Sequence, residues 1–174
     1  MTNYSRLSLR QINSLDRAGF TAAFGSLFEG TPTIAVQTWD ARPFESTEAL
    51  HTALTETMRA LPFDAQIALI RAHTDLAGRA AIAGELTTES TREQASARLD
   101  QLSPSEYARF HELNTAYREQ FGFPFVICVR EHTRATILAN FEQRLGHSRE
   151  SEVATALTEI AKIAGLRLRD IVSS

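Results

Sequence analysis

At 174 residues, 43% of them hydrophobic and 22% charged, the chain has the length for one domain with its own core and the balance of a soluble globule, which excludes a disordered segment. A net charge of −3, with 18 Lys and Arg spread along the sequence, leaves no basic stripe to neutralise phosphates, and no apolar run approaches membrane-spanning length, so neither nucleic acid nor bilayer is an expected partner. Cys128 alone cannot close an intrachain disulfide, residues 1–11 lack the apolar core of a secretory signal, and the ending Val172-Ser173-Ser174 is no peroxisomal address, which together point to a reducing, cytoplasmic setting.

Helical spacing dominates from there on. Phe20, Phe24, Leu27 and Phe28 share one face and stop at Gly30 and Pro32, which predicts an amphipathic helix. Residues 33–39 read as a short helix or turn, and Arg42-Pro43-Phe44 as a connection. Leu50, Leu54, Met58 and Leu61 form the next stripe, opened by Ser46 and closed by Pro62. Asp64 can cap a helix running toward Arg71 with Ile67 and Ile70 inward, and that helix delivers His73 at its C-terminal end.

Ser103-Pro104-Ser105-Glu106 supplies a capping box with proline at the first helical position, before Tyr107, Phe110, Asn114 and Tyr117 at helical spacing; Gly122 stops that helix. Ile137, Leu138, Phe141 and Leu145 predict another helix before Gly146, and Val153, Leu157, Ile160 and Ala164 a last long one before Gly165. Residues 125–129 are the exception. They are rich in β-formers but have no second strand to pair with, and read as extended lining that turns into the following helix. The expected fold is all-α, an irregular single-domain helical bundle of residues 1–174 around one substrate pocket.

The residues that can carry chemistry each have a structural reading as well. His73 at a helix end suits a dipole partner or a general acid. Ser90-Thr91-Arg92-Glu93 has the form of a capping box, and a helix N-terminus also offers N–H groups to an anionic ligand. Cys128 sits among apolar neighbours that raise the cost of a thiolate, as befits an inert wall residue. His51, His73, His111, His132 and His147 show no i, i+4 pairing, and the eight glycines are scattered, so neither a zinc helix nor a phosphate loop is indicated.

More specific are three stretches: Arg71-Ala72-His73-Thr74-Asp75-Leu76-Ala77-Gly78, Ser90-Thr91-Arg92-Glu93-Gln94, and Phe121-Gly122-Phe123-Pro124-Phe125-Val126-Ile127-Cys128-Val129. Trp39-Asp40-Ala41-Arg42-Pro43-Phe44 precedes them and Leu166-Arg167-Leu168 follows. In that order the chain resembles the 2-oxo-4-hydroxy-4-carboxy-5-ureidoimidazoline (OHCU) decarboxylase family over nearly its whole length. Thr74 departs from the pattern, standing where the family usually has proline.

The resemblance implies a carboxy-lyase, working without cofactor or metal as a homodimer, that completes the conversion of urate to (S)-allantoin. It implies His73 as the catalytic proton donor and Glu93 as the chemically active member of a lining segment formed by Ser90, Thr91, Arg92, Glu93 and Gln94. A second lining segment is implied for Phe125, Val126, Ile127, Cys128 and Val129, with Thr74 as a further substrate contact and Arg167 as a planar fork for an anionic or ureido oxygen. Arg169 is the sequence alternative to Arg167, and the motif register favours Arg167. The alternative class is a lapsed binding module, motivated by Thr74, that keeps the pocket without turnover; a purely structural helical partner protein would require the motif spacing to be coincidence.

Overall fold

The computed structural model describes residues 6–78 and 83–173. Among these the regular structure is all-helical, as the periodicity predicts, apart from one isolated bridge pairing Leu7 with Val172. No helix among the described residues is long and apolar enough to cross a membrane. The backbone divides into two compact units, Met1–Leu69 with Ala161–Ser174, and Ile70–Ile160.

In the first unit α1 (Leu9–Ser14) opens with a capping box between Ser8 and Gln11 and buries only Ile12, so it is too short to show a stripe in the sequence. Asp16 caps α2 (Arg17–Phe24), its carboxylate accepting the Gly19 N–H at 2.7 Å. The apolar stripe continues past the α-helix into a 3-10 turn, Gly25–Leu27. After α3 (Thr33–Thr38), residues 39–44 clamp the end of α1. Arg42 Nη1 donates to the Asn13 and Leu15 carbonyls at 2.9 and 2.7 Å, while its guanidinium lies 3.9 Å over the Trp39 ring. The Asn13 amide pairs with both backbone groups of Phe44 at 2.8 Å each. The carbonyls that a short helix leaves open are thereby satisfied, and the tryptophan–arginine motif is architecture.

Ser46 caps α4 (Thr47–Arg59), which buries Leu50, Leu54 and Met58 completely. In α5 (Phe63–Arg71) Asp64 lies within the first turn, one residue inside the helix it is expected to cap. Beyond the cap, α5 matches its expectation, with Ile67 and Ile70 buried.

The second unit holds α6 (Thr88–Ser96), α7 (Pro104–Phe121), a 3-10 turn (Val129–Glu131), α8 (Arg134–Arg144) and the first part of α9 (Arg149–Ile171). Ser103 and Glu106 form the expected capping box of α7, and the Ser103 backbone N–H holds the Glu106 carboxyl below the ordinary glutamate range. Gly122 takes the left-handed conformation, φ 79°, that ends α7. The rings of Tyr117, Phe121, Phe123, Phe125 and Phe141 pack together here. Phe125 stacks on Phe141 with centroids 3.7 Å apart, and Tyr117 stands edge-on to Phe125 at 5.3 Å. Burying each such ring stabilises the unit by roughly 1.5–3 kcal/mol.

Helix α9 runs through Gly165, where the sequence suggests a stop. The glycine is there for proximity: a Cβ at 165 would stand 2.9 Å from His51 Nε2, which donates to the Ala161 carbonyl at 2.8 Å. An alanine would push the ring off that carbonyl. Gly165→Ala should therefore forgo the gain of about 1 kcal/mol that the exchange brings in an open helix, and the gain should return in a His51→Ala background. Urea unfolding of the double-mutant cycle measures this coupling.

Candidate active site

His73 stands two residues past the end of α5, its N–H reaching the Ile70 carbonyl at 3.2 Å, so the helix sets its position as the sequence implies. The side chain is half-buried, and Thr74 beside it is exposed and outside the helix. The turn that follows is held at each residue. Arg118 Nε donates to Asp75 Oδ1 at 2.8 Å, Asn114 Nδ2 to the Leu76 carbonyl at 2.9 Å, and the Ala77 N–H to Gln94 Oε1 at 3.0 Å. Ala77 adopts φ 51°, uncommon for a residue with a Cβ. At Gly78 a Cβ would come within 2.8 Å of the Asp75 Cβ, so the turn requires glycine there. Arg71 completes the anchoring by donating to the Gly122 carbonyl at 2.9 Å.

The helix bearing Glu93 starts three residues earlier than its capping-box reading implies. Thr87 is the cap of α6: its hydroxyl accepts the Ser90 N–H at 3.2 Å, which places Ser90 inside the first turn and Glu93 in the second. Thr87 has the same capping chemistry as Ser90, and it is the Thr87 hydroxyl that meets the first turn. Capping therefore does not account for Glu93, which is half-buried, while Gln94 is buried at 7% exposure and Thr91 and Arg92 face outward. Gln94 spends its carbonyl oxygen on Ala77 and so ties the Glu93 helix to the His73 turn.

Residues 125–129 are all buried; residues 125–128 have no regular secondary structure and lead into the turn Val129–Glu131, which packs against α6. The histidine turn, the Glu93 helix and the end of this segment are thus brought together within the second unit. Arg167 belongs to the first unit, at 6% exposure, where its guanidinium meets Glu29 at 3.1 Å and the Ser26 and Leu27 carbonyls at 3.5 Å. Arg169 is exposed, so the buried arginine of this motif is the one its register favours. A cleft of about 220 Å³ opens beside the turn, lined by Asp75, Gly78, His111, Asn114 and Arg118 among others. His73 and Glu93 do not line it, and its two charged walls, Asp75 and Arg118, already neutralise each other. The motif residues rather than this cleft define the candidate site.

A family model described as OHCU decarboxylase matches residues 13–169. Over 168 residues the chain is 43% identical to the 2-oxo-4-hydroxy-4-carboxy-5-ureidoimidazoline decarboxylase of Haloferax volcanii, covering 97% of this chain and 98% of that protein. The chain belongs to the OHCU decarboxylase family. It is likewise 41% identical over 168 residues to the mouse, Mus musculus, protein of the same name, covering 97% and 94% of the two. Among solved structures, the crystal structure of (S)-allantoin synthase is similar with a TM-score of 0.77 at 26% identity; the match covers 95% of this chain and 54% of that one, so this chain spans about half its length.

Within this OHCU decarboxylase framework, several supports escape a reading of the sequence. Asn114 figures there only as a member of the α7 stripe, yet it holds the Leu76 carbonyl, and its own buried Oδ1 has no hydrogen-bond partner among the described residues. A polar side chain on an otherwise apolar helical face is the signal that would have marked it. Arg144 and Glu159, whose side chains meet the Val126 carbonyl and the Cys128 N–H at 2.8 Å each, and Glu152, which pairs with Arg144, lie on helices whose charged residues look like solvated faces. The cap assignment makes a direct prediction. Thr87→Ala should weaken α6 by about 1 kcal/mol, whereas Ser90→Ala should cost clearly less; urea unfolding giving the reverse order would return the cap to Ser90.

Proposed function

We propose that this chain, a carboxy-lyase by family, decarboxylates 2-oxo-4-hydroxy-4-carboxy-5-ureidoimidazoline to (S)-allantoin without a cofactor, the last step from urate to allantoin, and that residues 1–174 act as one OHCU decarboxylase-like domain. The observation that carries this reading is the Ala77–Gln94 hydrogen bond, which fixes the turn after His73 against the helix of Glu93. Together with the family match it supports a site in which an imidazole and a carboxylate hold set positions.

The substrate supplies its own electron sink. The carbon bearing the hydroxyl and carboxylate lies next to a ring C=N, so the C–C bonding pair left behind by CO2 flows into that group, whose nitrogen takes up a proton. The hydroxyl carbon of the resulting enol then becomes a carbonyl, losing its O–H proton, as another proton is delivered to the neighbouring ureido-bearing carbon. The protein's tasks are to turn the carboxylate out of the ring plane, to stabilise the developing charge, and to deliver the proton to one face. His73 is the proton donor in this scheme, since an imidazole can hold and release a proton near neutral pH. Glu93 holds ring or ureido N–H groups, with its neighbours Ser90, Thr91, Arg92 and Gln94 as the surrounding segment. Residues 125–129 meet the flat ring through backbone groups. Arg167 keeps its assignment as the fork for an anionic or carbonyl oxygen.

Thr74 favours a second reading, a pocket that binds without turnover. Freshly generated substrate followed by the circular dichroism of allantoin separates the two: appearance of the (S) product above the spontaneous rate supports the enzyme, and its absence the binding module. In that assay His73→Ala should fall to near background with its helical far-UV signal intact, and normal turnover would remove His73 from the mechanism. Thr74→Pro should be tolerated, because proline fixes φ and pushes the preceding residue out of the helical region, which Thr74's position beyond α5 accommodates. A homodimer in a reducing, cytoplasmic setting completes the proposal, with light scattering at micromolar protein expected to give twice the mass of one chain.

A further inference from the structure

Residues 125–129 pose an accounting problem. They are buried, and no strand among the described residues pairs with them, yet buried backbone N–H and C=O groups need partners. The Glu131 and His132 N–H groups meet the Cys128 and Val129 carbonyls at 2.9 and 3.0 Å, and two charged side chains supply two further partners. Arg144 Nη1, from α8, donates to the Val126 carbonyl at 2.8 Å, and Glu159 Oε2, from α9, accepts the Cys128 N–H at 2.8 Å. Each charge matches its target, because a guanidinium can only donate and a carboxylate can only accept. Such charge-assisted bonds are shorter and stronger than neutral ones.

Arg144 is itself fixed. Its Nε donates to Glu152 Oε2 at 2.9 Å, its guanidinium lies 4.3 Å over the Phe125 ring, and both charged partners are buried. Glu159 is buried at 8% exposure on the helix two turns further along. Val126 and Cys128 are thus gripped on either side of Ile127, one through its carbonyl and the other through its N–H, so the backbone groups of Ile127 are held between two anchored residues. A backbone residue offers one donor and one acceptor, which complement a cyclic amide or ureido group.

We propose that Glu159, with Arg144, is a positioning residue that anchors the backbone of Val126 and Cys128 and so holds the groups of the intervening Ile127 for the substrate's ring amide. This rests on the reading of the chain as an OHCU decarboxylase. Glu159 acts through the segment and touches no reacting atom, so its loss changes ring recognition more than the proton-transfer step.

Two conservative variants test the proposal. Glu159→Gln keeps a carbonyl oxygen at the same reach; Glu159→Asp keeps the charge but withdraws the oxygen by about 1.5 Å, beyond hydrogen-bond distance. Cys128, the chain's single cysteine and buried at 1% exposure, reports on the segment through its rate of reaction with an aryl disulfide reagent. The expected result is that Glu159→Gln keeps KM and the slow thiol reaction within about threefold of wild type, while Glu159→Asp raises KM about tenfold, leaves kcat within about threefold, and speeds thiol modification. A Glu159→Gln variant that loses turnover overturns the proposal, because the charge and not the reach would then be what matters. So does a Glu159→Asp variant with wild-type KM and thiol protection. Thiol kinetics need no substrate, so a wild-type protein that fails to decarboxylate would overturn the functional reading while the clamp is still tested.

Discussion

A guanidinium and a carboxylate that are both shut away from water, Arg144 and Glu152 at 2.9 Å, underlie the second unit. Desolvating such a pair costs several kcal/mol per ion, and removing either partner strands the other at a cost of roughly 3–5 kcal/mol. The pair is tolerated because Glu152 is saturated. Besides Arg144 it accepts the Tyr117 hydroxyl and, at 2.7 Å, His147 Nδ1. Burial is the main cause that pushes the Tyr117 phenol well above its ordinary range, so the ring keeps its proton and remains a donor. Through Tyr117 the pair reaches the stacked aromatic rings, and through Val126 it reaches residues 125–129. The Phe-Gly-Phe-Pro-Phe run therefore folds onto a charge pair as much as onto other rings.

The turn after His73 shows the same economy in another form. Neighbouring residues on a helix point about 100° apart, so Gln94 can face inward to Ala77 while Glu93 stays at the edge of the unit. One residue fixes the geometry, and the other is left for the proposed chemistry. The left-handed Ala77 is held by that contact, and α7 contributes Asn114 and Arg118 from successive turns of one face.

Much of this was legible in the sequence, and the parts that were not have identifiable causes. The stripes of α4, α7 and α8 and the box at Ser103 were plain because apolar period and cap chemistry agree there. Gly165 misled because glycine in a helical pattern signals either an end or a close approach, and only the position of His51 decides between them. Ser90 misled because several capping side chains fall in succession from Thr87 onward. Residues 125–129 could be read as buried lining, but not what satisfies their backbone, since Arg144 and Glu159 are distant in sequence and look like surface charges. The motif positions His73, Glu93 and Arg167 were legible through their resemblance to the family; the supports around them depend on tertiary contacts that leave no local pattern.

The bridge between Leu7 and Val172 has a consequence for how such a domain can be used. The Leu7 N–H meets the Ile171 carbonyl and the Ser173 N–H the Leu7 carbonyl, each at 2.9 Å, so the first and last described stretches of the chain lie side by side in the first unit. Only a few residues of linker would be needed to join these ends into a ring, and new ends opened at an exposed turn elsewhere would leave the order of packing intact. By the same geometry the stretch from Leu7 to Val172 can be spliced into a loop of another protein as a cassette, since its host would have to bridge little more than the spacing of two paired strands.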